Sequence, residues 1–262
     1  MPALPPLLLP DGTLDWEVLF QVYEFAQFQA LADDLTCNEA SFVEQALSLA
    51  DGASVLDLAC GAGRHALELG RRGYSVEGVE VNPALVAHAA ACAYEDATRV
   101  RFATADMREL HYEPQFDAVL VMNSSLGFFD DATNRRVLKS CAESLVQGGR
   151  LLLQCINPYR IESYLAGFRT GWYALAGGYV LREARFDPFS ANLKIDYRFV
   201  APALGVDIAH PGDSIRLYGY LELVAMIRAA GLRPLTVFGD AVLPAVVFEE
   251  SSQWQVLVAE RI

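Results

Sequence analysis

Apolar residues recur along this chain at two spacings, and the change from one to the other marks out its elements. Over 14–32 the spacing is helical and places Trp16, Phe20, Tyr23 and Phe28 on one side. Thr36-x-x-Glu39 reads as a capping box opening a second helix through Phe42, Val43, Ala46 and Leu49, which Asp51-Gly52 stops. A short apolar strand, Ser54–Leu58, then leads through a glycine turn into a helix over Arg64–Arg71. Alternation continues with strands at 76–81, 100–103, 116–122 and 150–156, and with helices from Pro83 to about 96 and over 132–146. Pro83 suits the first turn of its helix, and Gly148-Gly149 separates the last helix from the last strand. Strands alternating with helices predict a parallel sheet covered on both faces. Over 157–216 the pattern becomes extended and aromatic, as in 179–186 and 193–200, which predicts an antiparallel insertion. A helix at 220–230 and strands at 234–238 and 253–260 close the core. The expected organisation is an N-terminal arm and helical cap over 1–52, a core over 53–157 and 217–262, and an insertion over 158–216.

Composition narrows what such a fold does. Apolar residues make up 53% and charged residues 20%, enough to bury a sizeable core. The formal charge of −13 opposes attachment to phosphate backbones or anionic membranes, so no nucleic acid and no membrane is expected as a partner. Cys37, Cys60, Cys92, Cys141 and Cys155 are scattered and form no C-x-x-C pair, and the four histidines lack ligand spacing. Reduced thiols, a cytoplasmic location and no metal are the expectation. The run Leu7-Leu8-Leu9 is too short to span a bilayer and is flanked by prolines.

The chemistry concentrates in Val55-Leu-Asp-Leu-Ala-Cys-Gly-Ala-Gly63. Gly61 and Gly63 let the backbone turn sharply and approach a ligand, with the N–H groups of the next helix beside it. Glu80 ends the following strand, where a carboxylate accepts hydrogen bonds from ribose hydroxyls. This pattern alone also fits the G-x-G-x-x-G/A fingerprint of a dinucleotide site, so a nicotinamide-dependent oxidoreductase stands as an alternative. Three features favour an adenosyl sulfonium cofactor. Asp57, just before the glycines, suits a cationic amino-acid end and would repel a pyrophosphate. Asp106 and Met107 follow the third strand, one as acceptor for an adenine amine and the other as an apolar wall. Asn123, Ser124 and Ser125 put polar groups at the carboxyl end of the fourth strand, where open α/β sheets bind ligands. Ala59 and Val81 complete the expected lining.

In order and spacing these motifs resemble the class I S-adenosylmethionine-dependent methyltransferases, over about 54–156 and the closing elements. The resemblance implies a Rossmann-like, doubly wound α/β fold with a mostly parallel seven-stranded sheet and an antiparallel insertion after strand 5. It implies S-adenosylmethionine as cofactor and methyl transfer to an N or O atom of a small molecule. Asp106-Met107-Arg108 with Ser124-Ser125-Leu-Gly127 is similar to small-molecule members, among them aminosugar N-methyltransferases. Tyr23 resembles an N-terminal tyrosine that reaches the cofactor in that subgroup. Glu80 stands where the family usually has Asp. A non-catalytic cofactor-binding protein is a further alternative, since cofactor residues alone do not establish turnover.

No base is unmistakable; Tyr23, His65 and Asn123 are the candidates near the reacting centre. Tyr23 equally fits a core helix face, and His65 a first-turn surface position. Trp172, Arg182 and Arg185, with Ser124 and Ser125, are candidate acceptor contacts, and Arg198 and Arg216 join the arginines suited to an anionic group. The insertion serves either as an acceptor lid or as the face of a homodimer.

Overall fold

The computed structural model describes residues 33–96, 98–175 and 178–262. The predicted helix over 14–32, with Trp16, Phe20, Tyr23 and Phe28, lies outside the described residues. The elements run α1 (Asp33–Leu47), β1 (Ser54–Leu58), α2 (Arg64–Arg71), β2 (Ser75–Glu80), α3 (Pro83–Glu95), β3 (Val100–Thr104), β4 (Phe116–Val121), α4 (Asp131–Ser144) and β5 (Leu145–Ile156). The second half holds α5 (Ile161–Phe168), β6 (Thr170–Leu175), β7 (Gly178–Asp187), β8 (Asn192–Ala201), β9 (Val206–Arg216), α6 (Tyr220–Ala229), β10 (Leu232–Phe238) and β11 (Trp254–Arg261).

Seven strands form one sheet in the order β10-β11-β5-β4-β1-β2-β3. β1 to β5 pair in parallel, and β11 and β10 complete the sheet antiparallel. This is the Rossmann-like α/β fold that the alternation predicts. Its strands are apolar on both sides because helices cover both. Leu56, Leu58, Val119, Val121, Leu151 and Leu153 pack toward α4 and α6, while Val55, Ala118, Leu120 and Leu152 pack toward α1 and α2. The chain leaves β1 toward β2 and β3, then returns to β4 on the other side. That reversal opens a crevice at the carboxyl ends of β1 and β4.

Local chemistry fixes the helix starts. Pro83 follows the N-cap Asn82, whose side chain accepts from the Ala84 and Leu85 N–H groups at 2.8 and 3.3 Å. Asp130 caps α4 by accepting from the Thr133 N–H at 2.7 Å. The predicted capping box is not formed. α1 already includes Asp33, so Thr36 and Glu39 lie inside it and bind Arg64 instead. Gly148-Gly149 is also not a separating turn. β5 begins at Leu145, and the pair lies within it where the register against β4 slips between Phe116 and Ala118.

The insertion is a second, four-stranded antiparallel sheet, β6-β7-β8-β9. Its inner face, with Ala184, Leu193, Ile195 and Ile215, packs on Ile161 and Leu165 of α5. The outer face leaves Trp172, Tyr179 and Leu181 exposed. Gly127 ties this sheet to the loop after β4: its carbonyl accepts the Arg216 N–H at 2.8 Å. Its φ is 126°, and a Cβ there would stand 2.7 Å from the Arg216 carbonyl oxygen.

Candidate functional site

The turn after β1 is built from left-handed residues. Ala59 and Gly61 both have φ 57°, and Gly63 has φ 81°. At Ala59 a Cβ bears that conformation, a strain typical of functional turns. Gly63 serves packing as well as approach. A Cβ there would lie 2.6 Å from the Phe102 ring, which β3 lays beneath the turn. Glu80 holds the turn in place: one carboxylate oxygen accepts the Gly61 N–H at 3.1 Å, and the other accepts the Asn82 N–H at 3.0 Å. Val81, next in sequence, leaves an apolar side chain 56% exposed at the carboxyl edge.

Asp57 lies on the α1/α2 side of β1 and is 2% exposed. One part of its carboxyl takes the Ala66 N–H, and the other oxygen, Oδ2, is buried with no partner among the described residues. Burial pushes this carboxyl above the usual range, against the opposing pull of His65 and Arg64. An unpartnered buried carboxylate oxygen beside a helix N-terminus is costly, and it fits a cationic ligand.

His65 is buried against α1, not at the surface. It is 4% exposed, and its Nε2 lies 3.0 Å from Glu39 Oε2 on α1. Arg64 binds the same carboxylate and donates to Thr36 Oγ1 at 3.1 Å. Burial alone would raise Glu39, but the hydrogen bonds from His65 and Arg64 hold its carboxyl below the ordinary value. His65 is thus committed to joining α2 to α1.

At the end of β4, Asn123 and Ser124 are both left-handed, with φ 55° and 60°. Gln154 of β5 fixes them: its side-chain oxygen accepts the Asn123 N–H, and its carbonyl the Ser124 N–H, each at 3.0 Å. The Asn123 side chain is exposed at the edge. Ser124 does not present its hydroxyl to an acceptor, because it is 2% exposed and Oγ accepts the Ile156 N–H at 2.6 Å. Ser125 donates to the Met122 carbonyl at 2.8 Å. Beyond β3, Met107 is half-buried against the α4 side of the core, and the Asp106 carboxylate is bound by Arg108.

The arginines of the insertion answer differently from their sequence reading. Arg185 pairs with Asp196, Arg198 with Asp207, and Arg216 with Glu222, so these three guanidinium groups meet carboxylates of this chain rather than an anionic acceptor. Trp172 and Arg182 line a cleft of about 760 Å³ on the insertion sheet, which shares no residue with the glycine turn. Tyr23 lies outside the described residues.

A wall that sequence reasoning missed is the connection 239–253. Trp254 pairs with Ile156, so β11 starts at the carboxyl edge and this connection borders it. Two asparagines hold it. Asn38 of α1 exchanges hydrogen bonds with Leu243 at 2.9 and 2.6 Å, and Asn157 donates to the carbonyls of Glu249, Glu250 and Ser252 at 3.4, 3.0 and 2.8 Å. Its length between two paired strands is the one local signal that could have found it. The connection also brings in Asp240, raised by burial and by nearby Glu39, so the edge is rich in carboxylates.

Residues 55–149 match the family model described as a methyltransferase domain. The matched segment is 95 of the chain's 262 residues. The glycine turn, Glu80, Asp106 and the β4 edge all fall inside it. The chain is 29% identical over 144 residues to a ubiquinone biosynthesis O-methyltransferase of Alkalilimnicola ehrlichii, covering 54% of this chain and 57% of that protein. It spans about half the length of the curated relatives it matches. Among solved structures, the CcbJ methyltransferase of Streptomyces caelestis superposes with a TM-score of 0.76 at 22% identity, over 93% of this chain and 96% of that one. CalS10 of Micromonospora echinaspora, an amino pentose methyltransferase solved with S-adenosylmethionine bound, gives 0.64 at 23% identity, over 93% and 98%. The chain therefore shares the fold of these two methyltransferase structures over nearly its whole length. Among the described residues no helix is long and apolar enough to cross a membrane.

Proposed function

We propose that this chain is an S-adenosylmethionine-dependent methyltransferase acting on an N or O atom of a small molecule. The observation that carries the reading is the buried Asp57 oxygen at the foot of the glycine turn, which has no partner among the described residues. It suits the α-ammonium of the cofactor, and the same carboxylate would repel a dinucleotide pyrophosphate. Glu80 at the end of β2 suits the ribose, and the half-buried Met107 with the exposed Val81 suits the adenine ring. The cofactor brings an electrophilic methyl on a sulfonium, so the task left to the protein is alignment, with the acceptor atom about 3–3.5 Å from that carbon. Asn123, exposed on its strained turn at the β4 edge, suits the orienting of an acceptor. Tyr23 remains a second candidate for cofactor contact. The net charge of −13 favours a small-molecule acceptor over nucleic acid and suits a cytoplasmic enzyme.

A ligand that binds only the folded state raises its stability by mass action. At a hundredfold excess over Kd, S-adenosylhomocysteine contributes about 2.7 kcal/mol, which for a chain of this size is roughly 5–10 °C in Tm. NADH is expected to give no shift. A shift with NADH and none with either adenosyl compound would overturn the proposal.

The partner we infer for the insertion is a second copy of the chain. On its outer face Arg185 pairs with Asp196 and Arg198 with Asp207, while Trp172 is 69% exposed with its ring 5.5 Å from that of Tyr179, and Leu181 is 42% exposed. Leu181→Asp is expected to convert a dimer to a monomer in sedimentation while leaving S-adenosylhomocysteine affinity unchanged. A parent that sediments as a monomer would return the insertion to the role of an acceptor lid.

A further inference from the structure

We propose that Gln154 is a positioning residue, fixing the β4 edge so that the Asn123 carbonyl faces the positive centre of a bound methyl donor. The inference rests on the cofactor reading above and deepens it. Gln154 lies near the end of β5, 1% exposed, among Leu151, Leu152, Leu153, Cys155 and Ile156. A buried amide in so apolar a strand is costly unless its polar atoms are used. Its side-chain oxygen accepts the Asn123 N–H and its own carbonyl the Ser124 N–H, each at 3.0 Å.

Those two bonds decide how Asn123 stands. The two N–H groups belong to the peptide planes on either side of the Asn123 Cα, so one residue of β5 holds both planes. Asn123 and Ser124 have φ 55° and 60°, a left-handed pair that persists only where its surroundings impose it. Two of the bonds imposing it from β5, to the Gln154 carbonyl and from the Ile156 N–H, use the main chain of β5. Those form with any residue at 154. The bond to the Gln154 side chain is the one that the sequence chooses.

A trans peptide is planar, with its C=O pointing opposite to its N–H. The Ser124 N–H is directed at β5, so the Asn123 carbonyl is directed away from it, and β4's other neighbour is β1. The carbonyl before it, that of Met122, is taken by the Ser125 N–H and hydroxyl at 3.2 and 2.8 Å. The Asn123 carbonyl accepts from no group among the described residues. It presents a partial negative charge to the crevice at the ends of β1 and β4, beside the glycine turn. A cation held there is attracted more strongly than in bulk water, because the effective dielectric is lower. The sulfonium of the methyl donor is such a cation; the thioether of its demethylated product is neutral.

The test is calorimetric titration with three ligands alike in their adenosine and amino-acid ends. S-adenosylmethionine is cationic at sulfur, sinefungin carries an ammonium in place of the methyl, and S-adenosylhomocysteine is neutral there. The quantity read is affinity for each cationic ligand relative to S-adenosylhomocysteine, in which effects on the shared ends cancel. Gln154→Met, similar in volume but without the acceptor, is expected to lower that ratio about tenfold for both cations. Gln154→Glu still brings an oxygen to the Asn123 N–H and is expected to keep at least the parent ratio. Asn123→Gly keeps the carbonyl and takes φ 55° without strain, so its ratio is expected to match the parent. Should the methionine variant not fold, Gln154→Asn, polar but one methylene short, carries the same prediction. An unchanged ratio in whichever of these two folds overturns the positioning role. A ratio lost in Asn123→Gly assigns the contact to the side chain and overturns the role of the carbonyl. A parent that binds none of the three ligands overturns the cofactor reading, and this inference with it.

Discussion

Replacing Glu80 by alanine is expected to lower affinity for S-adenosylhomocysteine by about one to three powers of ten. Each hydrogen bond to a charged group is worth roughly 1.5–3 kcal/mol, every 1.4 kcal/mol is tenfold, and water recovers part of the loss. The two oxygens are not idle without a ligand, since they accept the Gly61 and Asn82 N–H groups at 3.1 and 3.0 Å. Alanine therefore removes the ribose acceptors and also loosens the glycine turn and the start of α3. A second, smaller effect follows: stability falls by about 1–3 kcal/mol, seen as a lower Tm with no change in the circular dichroism spectrum. Glu80→Asp keeps both acceptors one methylene short and is expected to lie between parent and alanine in affinity. Calorimetric titration decides the matter. An alanine variant that folds and binds as tightly as the parent would place the adenosine elsewhere.

The parallel core was legible because its strands are buried on both faces. Runs such as Ser54–Leu58 and Phe116–Val121 are apolar without alternation, and helices of fitting length separate them. Signals that depend only on neighbours in sequence were legible too, among them Pro83 at the start of α3. Signals of the same local kind misled where a distant partner claimed the residues. Thr36 and Glu39 have capping-box spacing, but Arg64 and His65 bind them from α2 and the helix starts earlier. His65 reads as a first-turn histidine until Glu39, far upstream, is placed beside it.

Register was the other missing information. Arg185 meets Asp196, and Arg198 meets Asp207, only once β7, β8 and β9 are paired, and no periodicity in one strand announces it. The wall formed by 239–253 depends on single asparagines in α1 and after β5, so it was invisible to pattern reading. The helix α5 was missed because its eight residues, Ile161–Phe168, sit within a segment otherwise made of strands.

Asp57→Asn is expected to act in opposite directions on stability and on binding. In the folded chain without ligand, the Asp57 carboxyl is raised by burial, so its charged form is disfavoured relative to the unfolded state. For a raised carboxyl, the stability it permits is present below the unfolded pKa and is lost as pH rises through the folded one. Asparagine does not ionise, so the loss disappears. Its oxygen still accepts the Ala66 N–H, and its amide nitrogen replaces an unpartnered charged oxygen by a neutral group that is cheaper to bury. The variant is expected to gain stability near neutral pH, seen as a higher Tm, with the gain fading as pH falls through the ordinary carboxylate range. Binding moves the other way. The same oxygen would meet the α-ammonium of the cofactor, and losing a charge-assisted bond of about 1.5–3 kcal/mol lowers S-adenosylhomocysteine affinity about ten- to a hundredfold. Thermal melts across pH, run beside calorimetric titration, separate the two effects. A variant less stable than the parent at neutral pH that binds equally well would show that Asp57 is kept only for its bond to Ala66. The opposed signs are what a site residue produces, because the unpaired charge that weakens the empty fold is the group that a cationic ligand satisfies.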